Sequence, residues 1–436
     1  MRLTLPAALF TAAACTAEPI PVTVGLHPNH ADRPALLRDG QPYFVKGVGG
    51  FDAMERLAEL GANSVRTWGV GDETRSVLDA AEANGLTVML GLWLPHPRHG
   101  YDYGDPEVIA KVLADVEAGV RQYKDHPALL AWGVGNEVDN GEEDPAVVDA
   151  VFATIEEAAR RIKAIDPNHP TVAITADLGP DARSIRQIHD RCPSIDLIGL
   201  NTYGGAVNIA DRYRDAGGTR PYLVTEYGWI GPWESGYTSW GTPYEPSSSE
   251  KARILRNNHT AVITDQPDLC LGGYAFLWGW KQEETSTWFG LRVADADGAG
   301  DRKTEMVDTL AELWTGRPPS DRAPRVEAFG LREGGEARFA PGTVITAEVT
   351  MVDPEGEPLA YTWDLRDAKL VRGFGGDRED TLTRYPDRII DASVRGHRAA
   401  AEIRLPETPG AYRIFVRGDD PAGSTATANI PVQVID

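Results

Sequence analysis

The sequence predicts a (β/α)8 TIM barrel followed by a smaller all-β sandwich, and three observations predict it. Between residues 43 and 315, eight short β-rich runs alternate with eight amphipathic stretches, the number this barrel requires. The stretch Gly316-Arg317-Pro318-Pro319-Ser320 then breaks the pattern. Beyond it helical periodicity vanishes. Alternating runs such as Val344–Val349 and Tyr412–Val416 are separated by turns such as Asp353-Pro354-Glu355-Gly356, the pattern of a sandwich of about 100 residues.

The elements follow in order. Asp39-Gly40 is a turn between extended runs near Val22–Gly25 and Tyr43–Val48. Strands are predicted at 43–48, 62–68, 86–93, 129–136, 171–176, 195–201, 221–226 and 271–279. Helices are predicted at 51–60, 73–84, 106–124, 145–165, 182–189, 206–215, 248–264 and 303–315. Asp105-Pro106 and Asp144-Pro145 place a capping side chain before a proline at the first helical position. Gly61 and Gly85 close helices. Alternation alone also fits a doubly wound sheet. However, Gly47-Val48-Gly49-Gly50 lacks the G-x-G-x-x-G spacing of a dinucleotide site. In the sandwich, Trp363 is the expected core aromatic. The expected partition is a leader over 1–19, a barrel with an N-terminal hairpin over 20–317 and a sandwich over 323–436.

The 436 residues are 42% apolar and 25% charged, as in a soluble globular chain. A net charge of -22 argues against a nucleic-acid partner, which needs Lys/Arg patches, and reads as a solvated acidic surface. Arg2 and the apolar run Leu3–Ala14 form an export leader too short to span a bilayer. Ala12-Ala13-Ala14-Cys15 resembles a bacterial lipobox with Ala12 in place of the usual Leu or Val. The protein is therefore expected to be secreted, periplasmic or a cell-surface lipoprotein. Its membrane tether would be a lipidated Cys15; a plain signal peptide is the alternative. Cys192 and Cys270 precede strands at the barrel's N-terminal face, as a disulfide or as two buried thiols. No Cys/His spacing suggests zinc. Asp295–Asp301 has an acidic, Gly-rich look, but Met306 stands where a calcium loop wants Glu. No metal, cofactor or protein partner is expected.

Strand ends carry the chemistry. In such a barrel, catalytic groups sit at the carboxyl ends of strands. Leu129 to Val134 leads into Gly135-Asn136-Glu137, and Tyr222-Leu223-Val224-Thr225 leads into Glu226. Two carboxylates from different strands are what hydrolysis of a glycosidic bond requires. Strand two ends in Arg66-Thr67-Trp68, strand three in Trp93, strand six in Asn201-Thr202-Tyr203 and strand eight in Trp278-Gly279-Trp280.

This set resembles the clan of retaining β-glycosidases on (β/α)8 barrels that includes glycoside hydrolase families 2 and 5, over residues 40–315. The tail resembles Ig-like and PKD-like modules. The resemblance implies Glu137 as acid/base and Glu226 as nucleophile, with Arg66, Tyr203 and Trp278 in the clan's strand-two, strand-six and strand-eight positions. Arg66 would pair with the ionised nucleophile, and Tyr203 would donate to it. Asn136 would meet the sugar 2-hydroxyl. The expected substrate-binding set is Arg66, Trp93, Asn136, Tyr203, Trp229, Trp278 and Trp280. Further loop aromatics, among them His96, His99 and Trp233, would offer flat walls to a glycan. The resemblance makes β-glucan the first substrate to consider. Transglycosylation, cleavage of a cationic amino-sugar polymer of the chitosan type, and an inactive glycan-binding barrel are the rivals.

Overall fold

A computed structural model describes residues 19–179, 181–294, 300–368, 375–377 and 379–436. The leader with Cys15, and residues 295–299 of the Gly-rich stretch, lie outside the described residues. Three antiparallel strands come first: β1 (Val22–His27), β2 (His30–Arg38) and β3 (Gln41–Tyr43). The sequence reading missed β2. Residues 30–33 are exposed and Pro34 interrupts the run, so no alternation marks it. Asp39-Gly40 therefore joins β2 to β3, and Tyr43 ends β3 instead of opening the barrel.

The barrel follows as β4 (Val45–Gly49), α1 (Met54–Glu59), β5 (Ser64–Arg66), α2 (Thr74–Ala83), β6 (Thr87–Leu92), α3 (Pro106–Tyr123), β7 (Leu129–Val134) and α4 (Pro145–Ile165). It continues as β8 (Thr171–Thr175), α5 (Arg183–Arg191), β9 (Leu197–Thr202), α6 (Ile209–Asp215), β10 (Tyr222–Tyr227), α7 (Ser248–His259), β11 (Cys270–Ala275) and α8 (Glu305–Thr315). The eight parallel strands β4–β11 form a closed barrel. It is sealed where Gly272, Gly273, Tyr274 and Ala275 pair with Val45, Lys46, Gly47 and Val48. Closure leaves no sheet edge. Met89, Leu130, Val172, Leu197, Leu223, Leu271 and Tyr274 pack in the interior, with Val22 and Leu36 of the N-terminal sheet against them. Outward residues such as Val65, Val88 and Trp132 meet the helices in a second apolar layer. Two shells of buried side chains thus hold the strand ends rigid, as precise placement of reacting groups demands.

Local signals acted as their chemistry requires. Asp105 and Asp144 accept hydrogen bonds from the N–H groups of Glu107 (2.8 Å) and Ala146 (2.9 Å). Gly61 and Gly85 take φ of 90° and 68°, left-handed values that favour glycine. Cys192 and Cys270 are free and buried, and burial pushes both thiols up to about 12. The last predicted helix begins two residues late. Asp301–Lys303 instead forms β13, pairing with β12 (Arg292–Ala294).

Beyond α8, two four-stranded sheets face each other. One is ordered β14 (Arg325–Leu331), β16 (Val344–Val352), β19 (Arg398–Arg404), β18 (Ile389–Arg395). The other is ordered β15 (Arg338–Phe339), β21 (Thr425–Val434), β20 (Gly410–Asp419), β17 (Ala360–Asp367). Ile345, Ala347 and Val349 of one sheet and Leu365, Ile414 and Val432 of the other share a core with Trp363. Asp353 closes its turn by accepting the N–H groups of Glu355 and Glu357, both at 2.9 Å.

The sandwich is bonded to the barrel. Arg413 donates to the Pro243 carbonyl at 2.8 Å. Asn429 donates at 2.7 Å to Glu245, whose carboxylate also takes Lys251 at 2.6 Å. The Ser248 and Ser249 hydroxyls, at the start of α7, accept N–H groups of Thr427 and Val326 at 3.0 and 2.9 Å. The Lys251 and Glu245 side chains are each 1% exposed, so their pairing is what makes their burial tolerable. Among the described residues no helix is long and apolar enough to cross a membrane.

Candidate active site

Arg66, the last residue of β5, is fully buried, and its planar fork organises the barrel mouth. One arm donates to the Thr225 carbonyl (2.6 Å) and to Glu226 Oε1 (3.0 Å). The other donates to Asn136 Oδ1 at 2.5 Å. Burial opposes the Arg66 charge, and Glu226 and Glu137 favour it. Trp68, two residues on and so on the same side of the chain, donates its indole N–H to Glu226 Oε1 at 2.9 Å. Tyr203 donates to Glu226 Oε2 at 2.9 Å. Burial, then the adjacent Glu226, pushes the Tyr203 phenol well above its ordinary range, so it keeps its proton and acts as a donor. Glu226, in β10 and 6% exposed, thus accepts from three side chains with its oxygens fixed in one orientation.

Glu137 is placed differently. It lies past the end of β7, in a left-handed conformation with φ 51°, a strained position for a side-chain-bearing residue. Gly135 before it has φ 69°, and a Cβ there would lie 2.5 Å from Val138 Cγ2. The turn is held by the Glu137 N–H donating to the Ile174 carbonyl at 3.0 Å. The carboxyl accepts from Asn201 Nδ2 (2.7 Å) and Asn140 Nδ2 (3.0 Å). Burial first, and then the charge of Glu226, raises it to about 7. Two carboxyl groups with environments this different are a standard arrangement for separating acid from nucleophile. Both line one cavity of about 810 Å³, a size that accommodates a small ligand. Trp68, Trp93, Tyr203, Trp233, Phe276 and Phe289 give it apolar walls.

The comparisons with known proteins bear on this arrangement. Residues 54–236 match the family described as "Glycosyl hydrolases family 2, TIM barrel domain". The chain carries a glycoside hydrolase barrel. The matched stretch runs from α1 past β10 and includes both Glu137 and Glu226. No curated protein matches the chain. The solved structures that align with about a quarter of it include the following three. The PKD domain of an M14-like peptidase from a Thermoplasmatales archaeon is 15% identical over 26% of this chain and 94% of that one, with a TM-score of 0.15. Murine CRIg is 9% identical over 26% and 95%, at 0.17. The copper resistance protein PcoC from Escherichia coli is 13% identical over 27% and 100%, at 0.15. Scores this low carry no argument about fold or function.

Within the glycoside hydrolase barrel, Glu137, Glu226, Asn136, Trp93 and Tyr203 line the cavity. Four other expected contacts do not. Arg66 lies behind the wall, touching the two site residues instead of the open space. Trp229 is fully buried, stacked on Phe289 and beneath the Lys251 ammonium. Trp278 is 3% exposed, donates to the Asp52 carbonyl and packs on Arg292. Since β11 ends at Ala275, four residues earlier than predicted, Phe276 takes the wall position expected of Trp278. Trp280 is 46% exposed but lines a second groove, with Thr362, Arg366 and Phe415 of the sandwich.

Sequence reasoning passed over Trp68 and Asn201 as site residues. Their signal was strand alternation: Arg66 and Trp68, and likewise Asn201 and Tyr203, are two apart and share a face. Among the described residues the acidic group close enough to share a cation is Asp321, Glu357 and Asp420; none of the three lines the cavity. Trp68→Phe keeps an aromatic ring, though a smaller one, and deletes one donor to Glu226. A loss of about 10- to 100-fold in kcat with little change in KM is expected, as for other single buried hydrogen bonds to a charge. Steady-state kinetics with the folded variant tests it; an unchanged kcat would remove Trp68 from the reaction.

Proposed function

We propose that the protein is a retaining β-glycosidase acting by double displacement on a β-linked glycan. The supporting observation is the contrast between the two carboxyl groups across one cavity. Glu226 is held by Arg66, Trp68 and Tyr203, and Glu137 is raised to about 7. Glu226 attacks the anomeric carbon while Glu137 protonates the departing oxygen. The glycosylated Glu226 no longer carries charge, so the repulsion on Glu137 falls and it takes a proton from the incoming water. Asn136, fixed by Arg66 and by Asn201 Nδ2 at 3.1 Å, faces the cavity where the sugar 2-hydroxyl would lie.

A neutral glycan, with β-glucan the first to try, is favoured over a cationic amino-sugar polymer. Four further carboxylates line the cavity, and each has its own partner. Asp177 pairs with Arg212 (2.8 Å), Glu283 with Lys281 (2.5 Å) and Asp377 with Arg98 (3.5 Å). Glu234 accepts the N–H groups of Gly204 and Gly231, both at 2.8 Å. Little unpaired negative charge is left to attract ammonium groups. Transfer to a sugar hydroxyl instead of water uses the same residues, and the product mixture separates the two. Export, with Cys15 as a lipid anchor, belongs to the same proposal; mass spectrometry of the mature N-terminus tests it.

The deciding experiment is a panel of β-linked polysaccharides with products followed by proton NMR. The first-formed reducing sugar should be the β-anomer, with the α-anomer growing in later by mutarotation. Initial release of the α-anomer would overturn the mechanism.

A further inference from the structure

One part of the cavity wall comes from the sandwich. Gly375, Gly376 and Asp377, which lie between β17 and β18, line the same cavity as Glu137 and Glu226. Asp377 Oδ1 meets His99 Nε2 at 3.2 Å and Arg98 Nη2 at 3.5 Å, in the loop after β6. The Gly376 N–H donates to Glu283 Oε1 at 3.3 Å, and Glu379 accepts the Glu284 N–H at 2.7 Å, in the segment after β11. In the barrel, β11 and β6 are separated by β4 and β5. The segment therefore ties together loops of strands that are not neighbours. The connections after β4 and β5 are short, and past Trp68 none of their residues lines the cavity. On that side the sandwich supplies the wall the barrel lacks.

The segment touches the groups that would hold a glycan. Gly375 packs on Trp233, where an added Cβ would lie 3.3 Å from the ring. Trp233 meets Tyr203 edge-on at 5.8 Å, and Tyr203 holds Glu226. At the other end, His99 stacks on His96 at 5.4 Å and His96 on Trp93 at 5.3 Å, with Trp93 47% exposed in the cavity. Asp377 is the acidic stop of that row. Gly376 has φ 88°, a left-handed value that a side chain would strain.

We propose that Gly375–Asp377 is the specificity wall of the cleft. It closes the β4–β5 side and so limits the number of sugar units accepted, with Asp377 as the residue that latches it to the loop after β6. This deepens the glycosidase reading and rests on the cavity being a glycan cleft.

The test uses the full chain with Asp377→Ala, which removes the latch, and Asp377→Lys, which sets a cation against Arg98. For β-linked oligosaccharides of two to six units, kcat/KM is measured beside binding, read from the fluorescence of the cleft tryptophans. The preference for the hexamer over the dimer should rise about tenfold in Asp377→Lys, a change of about 1.4 kcal/mol, and less in Asp377→Ala. A merely structural role would lower all chain lengths together. A ratio within twofold of the parent in both folded variants overturns the proposal. If oligosaccharides bind but none is cleaved, the glycosidase reading falls, and the binding ratio alone decides the wall. If none binds to the parent, both fall.

Discussion

Glu226→Ala should abolish turnover, and exogenous azide should restore it with the α-glycosyl azide as product. The carboxylate is held by Arg66, Trp68 and Tyr203 together. Truncation to a methyl removes the attacking atom and leaves a space that a small anion can enter. Arg66 remains behind that space, fully buried, and attracts the anion, since an unpaired buried cation is costly. Azide then approaches from the same side as the lost carboxylate, which fixes the α configuration. The expected loss without azide is on the order of 10⁴-fold or more, as for other covalent nucleophiles. The measurement is product configuration by NMR. A β-azide from this variant would mean that Glu226 and Glu137 have exchanged roles.

Glu137 should govern the pH response. Raised to about 7, it should set the alkaline limb of kcat/KM near that pH, because the departing oxygen needs its proton. Glu226→Gln removes one of the two causes of the rise. The Glu137 midpoint, followed by carbon NMR of labelled glutamate, should fall but stay above 4.5, because burial is the larger cause. A midpoint that does not move would show that the two groups are uncoupled. Stability follows with the opposite sign to an ordinary paired carboxylate. Below about 4.5 both folded and unfolded chains hold the proton. Between about 4.5 and about 7 only the folded chain does, so stability declines as pH rises through that window. Glu137→Gln removes the decline. It should stabilise the protein at pH 8 by up to about 3 kcal/mol and have little effect at pH 4. Equal effects at both pH values in denaturant titrations would refute the shift.

Much of the barrel was legible because its signals repeat. Buried runs such as Leu129–Val134 and Tyr222–Tyr227 alternate with helices, of which α3 and α4 start at Asp-Pro and α1 and α2 are followed by glycine. The direction of loop side chains was not legible. Trp229 and Trp233 stand four residues apart in one loop, yet one is buried beneath Lys251 and the other faces the cavity. No periodicity in a loop distinguishes them. Trp278 was misplaced because β11 ends early, which turned Phe276 to the wall. Gly375–Asp377 could not have been found at all by reading strand ends. The segment reaches the cavity only because Arg413, Asn429 and α7 dock the sandwich on the barrel.

Arg66 has one consequence for how the reaction tolerates motion. Its two arms grip Glu226 and Asn136 from a single rigid plane. When the fold breathes, the Glu226 carboxylate and the Asn136 amide should shift as one body, so that their mutual spacing survives displacements that would misalign independently mounted groups.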